Sequence, residues 1–546
     1  MDPGRGEPAR ARSFGVKALK YRWLLAAVLV GVVAVGCGDD PVAPGPGPDQ
    51  NQDLGPLRLL DVFLRPYSIQ RPSASGGSPT PSLVEHYLSG FYSGGSSLAT
   101  FDWQLPAEIG TIEPKTPNLT RNDATVVVRL RSDGNPPLGF FYVRARARSG
   151  ADSSSMRQRF AVIENTWVKQ QRAGFSGDEP EDLISWPTFL THGGGPATAD
   201  SIFYVQSTSA STVRLRRIAA TVSLAGFEQA ADDCMLRPLQ PETNNYDAAP
   251  KTMPDLAPPA LGRRELLFSS RMDPQWPERC PGTTPCTNKP GLRLWVVTTP
   301  AGVTTFFPRA LTRDSTYTVF GRTVWYAFDF EQAQWDPRAT NPAARIAFIS
   351  NLGGSGRKEL WLADMLDLNG DNRTDSLANY RQLAPGLGVS GFDWHPDGTR
   401  LCATGPGGLS WVDVTSGAVT PILLPDSVDN VLTKVVFPAV FWRPGEHTLI
   451  AFQAERENLR NLYVLDVEER AATSLLPYAE PVTHNLFPTW HPTRKELAYV
   501  SDYTVMPWAN TTPGNNQVPD RLNPNNPELY GMQRTYYPSV WLLRLE

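Results

Sequence analysis

The chain has 546 residues, 41% of them hydrophobic, with 15 Trp and 23 Phe, which excludes both a disordered protein and a single small core. Its 44 Gly and 51 Pro are enough to punctuate many short strands and point to an all-β protein of two or more domains. The formal net charge is −4, but residues 1–36 carry a local +4, so the body is mildly acidic, near −8, and without a basic stripe; nucleic acid is excluded as a partner.

In chain order, the first 22 residues are basic, and Trp23 to Val35 form an uncharged apolar run that ends in small residues before Cys37. This is the shape of an export signal over residues 1–36. At 13 residues the run is shorter than the roughly 20 that a membrane-crossing helix needs, so cleavage is expected in place of a permanent span. The stretch Ala34-Val35-Gly36-Cys37 resembles the lipobox of bacterial lipoproteins, with Ala34 where Leu is commoner. The resemblance implies lipid on Cys37 and a membrane as partner through that anchor. An ordinary secretory signal that contains a cysteine is the competing reading. Residues 37–56 are polar and rich in Pro and Gly, a semi-extended tether able to hold a folded body off a membrane.

Residues 57–164 alternate strand-like runs with turn signals: LRLLDVFLRP, ATFDWQLP, GTIEP, ATVVVRLRS, GFFYVRARARS and MRQRFAVIE. That spacing predicts a β-sandwich. A tryptophan strand (Trp103), Gly-Thr-Ile and a late Tyr-Val-Arg-Ala-Arg-Ala strand resemble bacterial Ig-like domains, which implies a spacer or a contact surface and no catalytic role.

Residues 165–546 read differently. After an acidic stretch (Asp178, Glu179, Glu181, Asp182) expected to be a solvated loop come the strand pairs SIFYVQS with TVRLRRI and ELLFSS with LRLWVV. Cys234 is expected in a loop and Cys402 in buried core. Cys280 and Cys286 bracket PGTTP, which suits a disulfide-closed turn; a zinc site lacks nearby His and a second cysteine pair. Asp367, Asn369, Asp371 and Asp375 stand at positions 1, 3, 5 and 9 of a calcium loop of EF-hand or dockerin type, so calcium is the one cofactor suggested. Position 12 is Ala378, which lacks the bidentate acid, and a solvated Asn/Asp-rich turn is the competing reading.

A repeat dominates the C-terminal third. Trp394-His395-Pro396, Trp442-Arg443-Pro444 and Trp490-His491-Pro492 recur at a spacing of 48, and in each a second strand begins six residues after the tryptophan. With Trp335-Asp336-Pro337 and the two strand pairs upstream, six units are expected. Four-stranded units bury both faces only by stacking radially, so a six-bladed β-propeller follows. In FDWHPDGTRL, Pro396 presets the turn, Asp397 can bond nearby amides and Gly398 permits positive φ. This stretch resembles the repeat of TolB-like propellers, Trp-Ser-Pro-Asp-Gly, with His395 in place of Ser; the resemblance implies envelope protein interactions. Other units depart further, with Gly445-Glu446 and Thr493-Arg494 in place of Asp-Gly. The last unit lacks an outer strand, and TWVKQQR from Thr166 is expected to supply it.

Three long connections, Glu228 to Arg263, Met272 to Gly291 and Tyr503 to Ser539, are expected on one face, either as a binding surface near the channel or as tolerated insertions. No nucleophile elbow, zinc-protease helix or phosphate loop occurs. His395 and His491 hold equivalent repeat positions, which suits a turn role better than acid–base chemistry. The leading expectation is a non-catalytic, lipid-anchored cell-envelope scaffold that binds a protein, peptide or glycan. The alternatives are a propeller hydrolase or lyase acting on a polymer at the channel mouth, and a calcium-dependent adhesion module.

Overall fold

The computed structural model describes most of residues 56–169 and 291–501, together with residues 183–190, 201–207, 213–219, 232–236, 251–252, 265–270 and 539–546. The chain divides into two units, Met1–Leu54 and Gly55–Glu546, and the described residues all belong to the second. Cys37, the export signal, the tether to residue 55, Cys280, Cys286, Asp371, the acidic stretch and most of the three long connections lie outside the described residues. Among the described residues every regular element is a strand, and the protein is all-β.

Eight strands come first: β1 (Arg58–Arg65), β2 (Ser68–Arg71), β3 (His86–Ser93), β4 (Thr100–Gln104), β5 (Gly110–Pro114), β6 (Asp123–Leu130), β7 (Gly139–Ser149) and β8 (Asp152–Lys169). One sheet runs β1-β3-β6-β5, while β4, β7 and β8 pair in another with β2 beside β8. Strand β7 shows why the sequence folds this way: Val143, Ala145 and Ala147 are buried while Arg144, Arg146 and Arg148 between them are exposed. Those small residues meet Val62 and Leu88 of the other sheet in one core.

The later strands form consecutive sheets. The first contains β9 (Leu183–Leu190), β10 (Ser201–Ser207), β11 (Val213–Ala219) and β12 (Asp232–Leu236). The second contains β13 (Lys251–Thr252), β14 (Glu265–Ser270) and β15 (Arg293–Thr298); β16 (Thr305–Phe306) then pairs with β12, and β17 (Arg309–Ala310) with β15. A hairpin of β18 (Ser315–Val319) and β19 (Arg322–Tyr326) precedes three four-stranded meanders. These are β20 (Phe330–Trp335), β21 (Arg345–Ser350), β22 (Glu359–Leu366) and β23 (Ser376–Leu383); β24 (Gly391–Trp394), β25 (Arg400–Gly405), β26 (Gly408–Asp413) and β27 (Val419–Pro421); and β28 (Thr433–Phe441), β29 (Leu449–Arg456), β30 (Leu459–Asp466) and β31 (Ala471–Ser474). The last sheet is β32 (Asn485–Trp490), β33 (Glu496–Ser501) and β34 (Ser539–Arg544), with β8 as its fourth strand.

Among the described residues the arrangement is that of a β-propeller with four blades. Each meander buries its faces against its neighbours. Leu362 and Trp394 fill the space between the first and second meanders, Trp411 and Phe452 between the second and third, and Phe441, Trp490 and Trp541 between the third and the last sheet. Full burial of such a side chain contributes about 1.5–3 kcal/mol, so stacking between sheets is a substantial source of their stability. Cys402 belongs to this core: it is fully buried, and burial pushes its thiol pKa well above the ordinary value.

Strand β8 does two jobs. Its first part, Asp152 to Val162, pairs with β7, and its second part pairs with β34 through Glu164↔Arg544, Asn165↔Leu543, Thr166↔Leu542 and Trp167↔Trp541. The outer strand missing from the last sheet therefore comes from β8.

Two differences from the sequence reading stand out. Cys234 lies in a strand, opposite Leu215, because β12 gives β11 a partner it would otherwise lack. The connection Glu228 to Arg263 thus carries β12, which lies between β11 and β16, and β13, the first strand of the next sheet.

Gly398 adopts φ +68, and a Cβ there would meet Arg338 Nε and lie 2.7 Å from Asp336 Oδ1, both from the preceding sheet. Gly370 adopts φ +74 with nothing within 4 Å. Alanine at either position suffers backbone strain of about 1–3 kcal/mol, and only Gly398→Ala adds a collision between sheets. Chemical denaturation should show Gly398→Ala to be the more destabilised of the two; equal losses would mean the sheets do not crowd this turn.

Candidate functional site

The first strand of each meander ends on a ring that packs toward its neighbour. Trp335 pairs with Ile346, Trp394 with Leu401 and Trp490 with Leu497, and no ring is more than 6% exposed. Trp394 Nε1 donates to Gln334 O at 3.3 Å and Trp490 Nε1 to Ala439 O at 3.0 Å, each bond reaching the first strand of the preceding sheet. In the third meander the residue at this place is Phe441, paired with Leu449. Trp442 lies one residue beyond the strand, its ring 5.2 Å from that of His395. The hairpin there is one residue longer, which restores Leu401, Leu449 and Leu497 to a spacing of 48.

The residue after the ring pins the turn. Asp336 Oδ1 accepts from Arg338 N at 2.9 Å, Asp397 N lies 3.3 Å from His395 Nδ1, and Thr493 N donates to His491 Nδ1 at 3.1 Å. In the first meander and the last sheet a side-chain acceptor thus meets the amide two residues on. His395 Nδ1 is nearer still, 2.9 Å, to Asp397 Oδ1. Burial holds the His395 imidazole below its ordinary pKa against that carboxylate's pull. Asp397 accepts from Thr399 N at 2.8 Å, and Gly398 N donates to His395 O at 2.8 Å. Pro396, Pro444 and Pro492 stand in the corresponding turns.

Between β22 and β23, Asp367 Oδ1 accepts from Gly370 N at 2.7 Å. Asp375 accepts from Leu368 N at 2.9 Å and from Arg309 Nη1 at 3.1 Å. These oxygens serve a tight turn and a guanidinium from the preceding sheet; Asn369 is exposed beside them.

The sheets have two ends. At one emerge the turns that join first to second and third to fourth strands, and there β7 and β8 are seated. Arg159 of β8 pairs with Asp466 at 3.2 Å and donates to Ala471 O at 3.3 Å, while Tyr142 of β7 bonds Glu469. Burial, then that bond to Glu469, pushes the Tyr142 pKa up to about 12. The connections Met272 to Gly291 and Tyr503 to Ser539 join their strands at the other end.

At that second end three first strands carry a bulge with a non-glycine residue at positive φ: Gln332 (51°), Phe437 (52°) and Phe487 (54°). A left-handed residue with a Cβ costs about 1–2 kcal/mol, so its return at matching places requires compensation from neighbouring sheets. In the second meander Gly391 stands at the matching place, where a Cβ would lie 3.0 Å from Phe437 N. Gln332 Nε2 donates to Ser390 O at 3.2 Å and Gln334 Nε2 to Phe392 O at 2.6 Å, while Asp393 Oδ2 accepts from Val440 N at 2.7 Å. The half-buried rings of Phe437 and Phe487 lie 5.2 Å apart. Charges here are paired, Glu331 with Lys358 at 2.8 Å and Glu455 with Lys434 at 2.9 Å. The two glutamine amides are buried and tie the first meander to the second, while the two rings are half-buried. Sequence reasoning missed these residues, although Phe437-Pro438 and Phe487-Pro488 carried the signal: proline inside a strand marks a bulge.

No family model matches the chain. Solved structures of propeller type resemble it at low identity. An oligogalacturonate lyase in complex with manganese is 12% identical at a TM-score of 0.32, the match covering 75% of this chain and 86% of that one. A mutant apocarotenoid oxygenase of Synechocystis is 11% identical at 0.31, covering 74% of this chain and 95% of that one. For the dihydro-heme d1 dehydrogenase NirN the values are 11% and 0.26, with 65% of this chain covered and 55% of the dehydrogenase, so the chain spans about half of that protein's length. At such scores the likenesses assign no activity to this chain.

Proposed function

We propose that the protein is a lipid-anchored cell-envelope scaffold whose six-bladed, TolB-like propeller binds a protein, peptide or glycan partner without catalysis. Binding occurs at the ring end opposite the seat of β7 and β8. In this reading β1–β8 contain an Ig-like sandwich that serves as spacer, and Cys37 carries the lipid. Six blades are supported by cores that link successive sheets from β13–β15 through the meanders to β32–β34 and on to β9–β11. The envelope role rests on the lipobox-like stretch and on FDWHPDGTRL.

One observation carries the binding reading: the matched bulges that bring the half-buried rings of Phe437 and Phe487 together at a single end. Half-buried rings offer a stacking surface at low entropic cost. The alternative, a propeller hydrolase or lyase acting on an extracellular polymer, requires carboxylates or histidines brought to this end by the long connections.

The test has two arms. Cys37→Ser is expected to move the protein from the membrane to the soluble fraction. Mature protein immobilised on beads is expected to retain an envelope component that the Phe437→Ala, Phe487→Ala double variant retains about tenfold less well, a loss of about 1.4 kcal/mol. Equal retention by a double variant with an unchanged melting temperature would defeat the chosen site, and membrane association of Cys37→Ser would defeat the anchor.

A further inference from the structure

The turns at the end that receives β7 and β8 gather three groups with no sequence motif. His447 lies in the turn between β28 and β29, Asp466 ends β30 and Glu468 follows it, and each offers a ligand atom within 4.8 Å of the others. His447 Nδ1 is 3.1 Å from both oxygens of Asp466. Asp466, its side chain 5% exposed, is held from behind: Oδ1 accepts from Glu469 N at 3.0 Å and Oδ2 lies 3.2 Å from Arg159 Nη2. Thr448 orients Glu468, donating its amide to Oε2 at 2.7 Å and its hydroxyl to Oε1 at 2.9 Å. A carboxylate has about four lone-pair positions, so both acids keep acceptor capacity after these bonds.

We propose that His447 Nδ1, Asp466 and Glu468 form a site for a divalent transition-metal ion of the zinc class, with water completing the shell. The imidazole selects against calcium and magnesium, which want oxygen alone. Outer groups that fix the carboxylates supply the orientation a metal site needs. The charges favour a cation: Asp466, Glu468 and Glu469 lie close to the imidazole, while Arg159 bonds one oxygen of Asp466. The ion ties the turn bearing His447 to the one bearing Glu469, where Tyr142 and Arg159 dock, and so stiffens the seat of β7 and β8.

Metal-stripped full-length protein titrated with Zn²⁺ near neutral pH is expected to take up a saturable equivalent and to melt at a higher temperature. His447→Ala and Glu468→Gln, at exposed positions, should each keep the metal-free melting transition and weaken that uptake by about tenfold or more. Co²⁺ in place of Zn²⁺ should give a spectrum without thiolate charge-transfer bands, which separates this site from the cysteines. Absence of saturable uptake, uptake unaltered by His447→Ala, or a thiolate spectrum would each overturn the assignment.

Discussion

A chain that begins at residue 170 should fail to unfold cooperatively and should self-associate, whereas one that begins at Ala161 should remain monomeric with a single transition. The difference lies in the second part of β8. Without it, β34 loses its outer partner, and Val540, Trp541, Leu542 and Leu543, all at most 1% exposed, lie on an open edge. The longer chain keeps Ala161 and Ile163, which pack with Phe441 and Trp490. Burial of Ile163 alone contributes about 1.5–3 kcal/mol, and the ladder bonds and the Glu164 contact with Arg544 are lost besides. Against a typical net stability of about 5–15 kcal/mol, this loss is large. Light scattering and denaturant unfolding of the two chains decide the matter; matching behaviour would show that closure by β8 contributes little.

Asp314→Ala is expected to cost about 3–5 kcal/mol, more than any surface change. Arg293 and Asp314 form an ion pair at 2.5 Å with both side chains at 0% exposure, beside Thr312, whose hydroxyl oxygen accepts from Leu294 N at 3.0 Å. Removal of the carboxylate takes the paired charge from a guanidinium whose side chain is fully buried. The apolar double variant Arg293→Met, Asp314→Leu should recover most of the loss, because it removes both desolvated charges and keeps volume. Urea denaturation of wild type, both single variants and the double completes the cycle. A double variant as unstable as Asp314→Ala would show that the neighbouring backbone, and not the stranded charge, sets the cost.

What could be read from the sequence divides along one physical line: features that repeat with the sheets were legible, and features made by contact between distant turns were not. Trp335, Trp394 and Trp490 announce themselves because every meander must fill the same gap beside its neighbour. Gly398 was legible because a two-residue Asp-Gly turn admits few conformations. The offset that puts Phe441 in place of Trp442 was hidden, since two adjacent aromatic residues and a longer hairpin preserve the spacing of the second strands. The bulges at Phe437 and Phe487 left a proline signal that a count of alternating residues passes over. His447, Asp466 and Glu468, and the pair Arg293 and Asp314, meet only after sheets have formed, and no local pattern encodes them.

Strand β8 runs unbroken through position 164, bonded to β7 on one stretch and to β34 on the next. It leaves no hinge there: for β7 to swing against the ring, ladder bonds on both stretches would have to shear together. A pull on the N-terminal strands is therefore borne lengthwise along a single beam, and the ring and the strands seated on it should yield to force as one body.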